Sequence, residues 1–351
     1  MVEPGPLFAW GAPAEPVVER AEYRVRVGSR RLRTTAVFDT YWRFAAERQA
    51  MFFRRLCGEW PVTSDSILAA HRFTNVFRAS DRVSQYLIGA VIPGSASDDD
   101  VFFRVLLFKI FNRIETWERL SRDIGVPSLA TYDRARYEAA LDRMMADGAT
   151  VYSSAYIMPT APFGHARKHA NHLSLLERMI GEQLPARLRA AASLQDAYIA
   201  LLAYPSLGRF LAFQFAIDLN YSPLMAFSEA EFVVAGPGAC DGIAKCFVDL
   251  DGASHADVIV ATAEMAEREF ARLELEFMPL WTRMPQLVDW QNVYCEVDKY
   301  ARRAHPEARG LQHRTQIKQK YKRNPAPIAL AYPAKWGLAG EVRGLPLPRA
   351  V

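Results

Sequence analysis

The stretch SLGRFLAFQFAIDLNYS, Ser206–Ser222, decides how the chain is read. Between Arg209 and Asn220 its only polar side chains are Gln214 and Asp218. The run is too long for a single strand and shows no alternation, so it reads as a helix, and a helix this apolar is buried nearly all round. Gln214 and Asp218 are four apart and share one face. An ionised carboxylate there is costly unless a cation or several donors meet it, so Asp218 is expected to be either paired or held protonated. Both states recur at catalytic acids and bases, and a purely structural ion pair would explain the residue as well.

Outward from this helix, helical periodicity covers 39–57, 64–92, 99–122, 133–146, 166–183, 186–203, 207–219, 228–234, 239–250, 256–277 and 286–304. Strand-like alternation is confined to EYRVRVGSRRLRTTAVF, Glu22–Phe38, around Gly28 and Ser29, which predicts a short hairpin. The class is mainly α, multi-helical, with a short N-terminal β-hairpin. No Pro/Gly/Ser-rich linker divides the helical part, and no repeat of fixed period is present. Nine of the 21 prolines fall in residues 1–16 and 325–348, so both ends read as extended arms. The expected division is an arm over 1–37, a helical body over 38–310 and a basic, proline-containing tail over 311–351.

Half the residues are apolar and 23% are charged, which excludes a disordered or collagenous chain. Arg104, Lys109, Gln214 and Asp218 interrupt the most apolar stretches, so no run reaches the ~18 residues of a membrane span. The first sixteen residues lack the pattern of a secretory signal, and four cysteines are too few for a disulfide scaffold. A reducing, cytoplasmic address is expected. The net charge of +4 is unevenly spread. Between Ala308 and Gly340 stand seven basic residues, Lys318, Lys320, Lys322 and Arg323 among them, and no acidic one. Arg24, Arg26, Arg30, Arg31 and Arg33 cluster near the start. Segments so one-sided attract a polyanion such as a nucleic-acid backbone, or are simply solvated.

Three further segments carry polar residues where the period calls for apolar ones. RFTNVFRASDRVSQYLI, Arg72–Ile88, places Asn75, Arg78, Arg82 and Gln85 on one helical stripe, with Asp81 able to pair along it. VFFRVLLFKIFNRIETWE, Val101–Glu118, carries a line of Lys109, Asn112 and Thr116, with Glu115 beside it. DWQNVYCEVDKYARR, Asp289–Arg303, shows two stripes: Asn292, Glu296, Lys299 and Arg303, and Gln291, Cys295, Asp298 and Arg302. A solvated face or a salt-bridged surface helix is the plain alternative for each.

Other signals carry less. His165, His169 and His172 share a helix face, yet no further ligand stands near, and no metal site is predicted. Cys240 and Cys246 match no zinc or redox spacing. GPGACDGIAK, Gly236–Lys245, lacks the Gly-Lys-Ser/Thr end of a P-loop.

Two resemblances add to this reading. YPSLGRFLA, Tyr204–Ala212, has Pro205, Gly208 and Ala212 at the spacing of the hairpin in helix-hairpin-helix DNA glycosylases. The resemblance implies a glycosylase-like body in which the backbone at Gly208 and Arg209 meets a DNA phosphate. Phe210 stands where bifunctional glycosylases carry a Schiff-base lysine, which argues against strand cleavage by that route. The second resemblance runs from about Phe38 to Gly337. FDTYWRFAAERQ, FTNVFRASDRVSQYLI, FKIFNRIETWE, RKHANHLSLLERM, LAFQFAIDLNYS, GPGACDGIAK, QNVYCEVDKYARR and AKWGL occur in this order. The set resembles the helical family fused to 5-hydroxymethyluracil DNA kinases, the α-glutamyl/putrescinyl thymine pyrophosphorylases, associated with hypermodified thymines in phage DNA.

That resemblance implies a transferase that replaces the pyrophosphate of a 5-pyrophosphoryloxymethyluracil in DNA with an amine or amino acid. Its implied partners are DNA, the small amine co-substrate and a P-loop DNA base kinase, with no membrane. No cofactor is predicted, and Mg²⁺ beside the pyrophosphate is left open. Such chemistry needs cations for the departing charge, a base for the amine and a pocket that excludes water. Arg78, Arg82 and Lys109 suit the first task and Asp218 or Glu296 the second, while Lys299 and Asp298 suit either. Asn75, Asp81, Gln85, Asn112, Glu115, Gln214 and Asn292 are candidate substrate contacts. Gly208, Arg209, Lys318, Lys320, Lys322 and Arg323 are candidate DNA contacts. The alternatives are a DNA glycosylase or other base hydrolase on a modified pyrimidine, and a non-catalytic DNA-binding module that partners a base kinase.

Overall fold

Thr35 opens the helical part of the chain: its hydroxyl accepts from the Val37 N–H, capping the helix α1 (Ala36–Leu56). The computed structural model describes residues 23–323 and 330–338. Among these are a hairpin, β1 (Arg24–Val27) and β2 (Arg30–Arg33), and thirteen α-helices. The remaining helices are α2 (Ser66–Ala70), α3 (Arg82–Tyr86), α4 (Asp98–Phe111), α5 (Ile114–Ile124), α6 (Arg134–Ala146) and α7 (Lys168–Gly181). They continue with α8 (Leu184–Arg189), α9 (Leu194–Leu202), α10 (Arg209–Asn220), α11 (Pro237–Cys246), α12 (His255–Arg272) and α13 (Leu287–Ala304). The chain is thus mainly α with one short hairpin. No helix among the described residues is long and apolar enough to cross a membrane. The extended arms expected at residues 1–16 and 325–348 lie largely outside the described residues, apart from 330–338.

The chain folds into two compact units interleaved in sequence. Among the described residues, the first comprises 23–78 and 235–323. Its hairpin pairs Arg24 with Arg33 and Arg26 with Arg31, turning Val25, Val27 and Leu32 into the core. Helices α1, α11, α12 and α13 pack around Phe38, Tyr41, Trp42, Trp290 and Tyr294, all essentially without solvent contact. The closest approach is between α11 and α13: a Cβ on Gly242 would stand 2.1 Å from the Tyr294 carbonyl oxygen. One on Gly238 would stand 3.2 Å from Cys295 Sγ. The glycines of GPGACDGIAK therefore serve helix packing, which only the loss of a Cβ permits.

Among the described residues, the second unit comprises 79–234 and 330–338. Its centre is α10 against α4 and α9, with α7 and α8 also packed on α4. Both α4 and α10 are buried along almost their whole length, as an all-round apolar helix requires.

Four expected helices differ. The 64–92 helix is broken: α2 stops at Ala70, His71 turns extended, and residues 78–80 and 87–91 form a 3₁₀ turn and a π-helix either side of α3. The reason lies in side chains of α13, which claim the backbone between: Glu296 accepts from the Thr74 N–H, Asn292 donates to the Asn75 carbonyl, and Asp289 accepts from the Arg78 N–H. The helix over 99–122 ends at Asn112, whose left-handed φ of 48° closes α4 before α5 begins. The 186–203 helix divides into α8 and α9, with Ser193 capping the second. Residues 228–234 form no helix. The side chain of Asn220 instead pairs with both the N–H and the carbonyl of Phe227, fixing an irregular turn just before them.

Candidate active site

In the second unit, α10 presents Asp218 and α4 presents Lys109 at their contact. Lys109 Nζ lies 2.7 Å from Asp218 Oδ2, and each side chain is only 3% exposed. The pair answers the demand set by an apolar helix: Asp218 is met by a cation, and Gln214, also buried, lies one turn away on α10. The ammonium of Lys109 stands 4.1 Å from the centroid of the Tyr156 ring, which in turn stacks on Phe210 with centroids 5.8 Å apart. Tyr156 belongs to the long irregular segment between α6 and α7 and adopts φ of 53°, a left-handed conformation that costs a bulky residue energy. The half-buried ring is thus held over one charge of a buried pair. A carboxylate beside an ammonium in a dry, aromatic-walled place can take up a proton from a reacting group and stabilise a charge that develops beside it.

The other second-unit candidates divide between surface and scaffold. Arg82 and Glu115 face each other at 3.7 Å with most of their surface in solvent. Glu115 lies in a shallow cleft of about 340 Å³ with Arg113, Arg119 and Arg122. Asp81 is the N-cap residue of α3. Gln85 is clasped by backbone: it donates to the carbonyls of Ala79 and Ala331 and accepts from the Ala331 N–H. Asn112 is the left-handed cap of α4, and Thr116 donates to the Val151 carbonyl. The expected polar line of Lys109, Asn112 and Thr116 therefore breaks at Asn112, and only its first member meets Asp218. Gly208 caps α10 with ordinary φ of −65°, and a Cβ there would meet nothing within 4 Å. Gly208 and Arg209 are both exposed at the start of the helix.

In the first unit the two stripes of α13 take different partners. Along one, Glu296 pairs with Lys299 at 2.6 Å and binds the Thr74 N–H, while Asn292 accepts from the Thr74 hydroxyl. Arg48 donates to Asn75, so the strip 72–75 joins α1 to α13 through polar groups. Arg78 is 3% exposed at the end of this strip. Along the other stripe, Asp298 lies 2.9 Å from Lys245 of α11 and 2.5 Å from Arg302, with Arg314 at 3.7 Å. Asp298 is thereby the hub of a buried ionic cluster that pins α11 and the chain after α13. Helix α13 is buried over most of its length and is not a surface helix. Burial, reinforced by Glu296, pushes the Cys295 thiol well up, so it stays protonated and a poor nucleophile.

The described stretch of the basic tail up to Arg323 packs within the first unit. Residues 319–321 run beside Ala70–Arg72, bonded through the Arg72 and Tyr321 N–H groups, and Arg302 donates to the Gln316 carbonyl. Lys318, Lys320, Lys322 and Arg323 are all exposed on this ribbon, and Arg323 covers the half-exposed Trp60 ring at 4.3 Å. The three histidines serve scaffold. His165 pairs with Ser174 and Arg134, His169 lies beside Asp142, and His172 sits between the Tyr152 hydroxyl and the Pro159 carbonyl. No group of three or more metal-ligating side chains occurs among the described residues.

Sequence reasoning missed Tyr156, the partner ring Phe210, the buried Lys245 and the backbone contacts of the exposed Lys335. Lys335 Nζ donates to the carbonyls of Asn220 and Met225. The available signal for Tyr156 was the length of the unassigned segment between two clear helices, because long structured loops tend to carry function.

Searches of curated proteins and of solved structures return no match. The sequence itself matches the family described as 5-hmdU DNA kinase, helical domain, over residues 35–310, a span that takes in α1 to α13 and with them the Lys109–Asp218 and Glu296–Lys299 pairs. On that match, spanning well over half of the chain, the protein belongs to the 5-hmdU DNA kinase helical-domain family, a family of DNA base modification.

Proposed function

We propose that this chain is a transferase that replaces the pyrophosphate of 5-pyrophosphoryloxymethyluracil in DNA with an amine. The observation that carries the reading is the buried Lys109–Asp218 pair, walled by Tyr156, in a family tied to 5-hmdU in DNA. The amine nitrogen attacks the exocyclic methylene carbon and the C–O bond to pyrophosphate breaks, its electron pair leaving on the pyrophosphate oxygen. Asp218 accepts the proton that the nitrogen must shed, and Lys109 sets the local charge so that the carboxylate stays ionised until then. Glu296 and Lys299 form a second acid–base couple in the first unit, suited to the same class of proton transfer. Lys318, Lys320, Lys322 and Arg323 give the DNA backbone its counter-charges. A DNA base kinase that supplies the phosphorylated base is the natural partner.

The test is direct. DNA containing pyrophosphorylated 5-hydroxymethyluracil is incubated with the protein and a panel of amines, then digested and its nucleosides are weighed by mass spectrometry. The reading requires a thymine adduct whose mass includes the amine, together with release of pyrophosphate. Free base with an abasic site would instead establish a glycosylase, and DNA retained unchanged with every amine would leave only binding.

A further inference from the structure

Trp60 keeps 50% of its surface in solvent, although the loop that carries it, between α1 and α2, is firmly held. The Glu59 N–H donates to the Arg54 carbonyl, Arg54 donates to the Val62 carbonyl, the Thr63 hydroxyl donates to Glu47, and Asp65 caps α2. A single exposed ring needs no explanation by itself, but the neighbours of this one supply a reason. Arg323 lies over the indole at 4.3 Å, and before it runs the basic ribbon. The Arg72 and Tyr321 N–H groups bond to the Gln319 and Ala70 carbonyls on either side of the His71–Lys320 pairing, so the chain is extended there. Alternate side chains of an extended chain share a side, at intervals of about 6.7 Å. Ile317 is buried and Tyr321 half-buried, while Lys318, Lys320 and Lys322 fall to the other side and are all exposed. Arg323 has the parity of Ile317 and Tyr321 and reaches the ring. A row of three ammonium groups thus ends at an aromatic platform.

We infer that this surface binds an unpaired DNA strand, with phosphates along Lys318, Lys320 and Lys322 and one base stacked on Trp60. This rests on the DNA-directed reading above and adds the state of the strand. The lysines alone would serve any polyanion, duplex DNA included. The ring is what discriminates. Base faces in a duplex are stacked on one another and closed to a side chain at the rim, whereas every unpaired base offers a π-face to an indole. Duplex phosphates gain nothing from Trp60. Arg323 serves both parts, since its cation–π contact holds the indole while its charge continues the row. An enzyme that does chemistry on a base needs that base out of the stack, so an unpaired strand is also the form the proposed transfer would use.

Fluorescence anisotropy of the full chain tests this with end-labelled probes of about twenty nucleotides, and with neither amine nor pyrophosphorylated base present. The probes are oligo-dT, the same strand annealed to oligo-dA, an abasic strand of equal length, and oligo-U. Oligo-dT is expected to bind at least about fivefold more tightly than the duplex and than the abasic strand, the gain from one stacked base. Trp60→Leu should lose that gain on oligo-dT, leave the duplex and the abasic strand unchanged, and keep the salt dependence, because no cation is removed. Replacing Lys318, Lys320 and Lys322 by Gln should instead lower the slope of log affinity against log salt on oligo-dT by about 0.7 for each lost contact. Equal binding of oligo-dT and the abasic strand by the parent protein would overturn the proposal without any variant. So would a duplex bound as tightly as oligo-dT, or a Trp60→Leu protein that holds oligo-dT as the parent does. Oligo-U bound about tenfold more tightly than oligo-dT would make the partner RNA and overturn it as well. Each of these outcomes leaves the transfer assay to be judged on its own product, and an absence of transfer leaves this binding pattern standing.

Discussion

Removing the charge of Asp218 has two effects that can be separated at the level of single residues. Asp218→Asn leaves the Lys109 ammonium buried without its counter-ion, which should cost about 3 kcal/mol of stability in urea unfolding. Adding Lys109→Met should bring stability back to within about 1 kcal/mol of the parent, because an apolar isostere replaces a costly charge. Activity should not return with it. A double variant that regained turnover would make the pair a structural device. His172 provides a second residue-level prediction. Burial, the largest influence, pushes its imidazole down to about 4, where it stays neutral between Tyr152 and Pro159. An unfolded histidine titrates near 6.5, so below that pH the unfolded state binds the extra proton first. The stabilisation is therefore complete above about pH 6.5, declines as pH falls toward about 4, and amounts to about 3 kcal/mol in all. His172→Gln should flatten that portion of the stability profile, and an unchanged slope would contradict the assignment. At this scale the sequence revealed Asp218 because a lone carboxylate on an apolar helix has one physical remedy. It could not reveal which cation supplied the remedy, since Lys109 is more than a hundred residues away. Nor did it expose Gln85 as a backbone clasp, because a polar side chain turned to its own chain looks the same in sequence as one turned to a ligand.

Two glycines show how the elements are held. Gly242 is where α11 touches the backbone of α13, and a methyl group there would collide with the Tyr294 carbonyl. Gly242→Ala should lower stability by about 2 kcal/mol or more, read as a drop in melting temperature. Gly208, the cap of α10, has open space around it and ordinary backbone angles, so Gly208→Ala should change stability by less than about 1 kcal/mol. A large loss at Gly208 would point to a constraint absent from the fold. Elements with strong apolar periodicity, such as α1, α12 and α13, were legible to within a few residues. The 64–92 stretch was not, since its helical pattern is overridden by Asp289, Asn292 and Glu296 of α13, which bind the backbone a helix would have used. Together with Asp298, which meets Lys245 of α11, these residues explain why α13 carries two polar stripes although it is buried: each stripe meets polar groups of a different neighbour.

For the molecule as a whole, the charge distribution makes the most accessible prediction. DNA affinity should fall steeply with salt, and neutralising Lys318, Lys320, Lys322 and Arg323 should reduce the slope of log affinity against log salt by up to about 0.9 for each phosphate that no longer meets a cation. A slope unaffected by the four substitutions would remove the tail ribbon from the DNA-binding surface. The mainly helical class and the basic ribbon were legible because they depend on period and composition. The interleaving of two units was not, since the crossings at 78/79 and 234/235 fall in segments without linker composition. Whether the Lys109–Asp218 pair carries out chemistry is decided by one measurement. Pyrophosphorylated 5-hydroxymethyluracil DNA is incubated with an amine and either the parent protein or the Lys109→Met/Asp218→Asn variant, and the thymine adduct and released pyrophosphate are counted together. Equal amounts of adduct and pyrophosphate are expected from the parent, with a loss of at least about a hundredfold in both from the equally folded variant. Adduct formed at the parental rate by that variant would contradict a catalytic role for the pair.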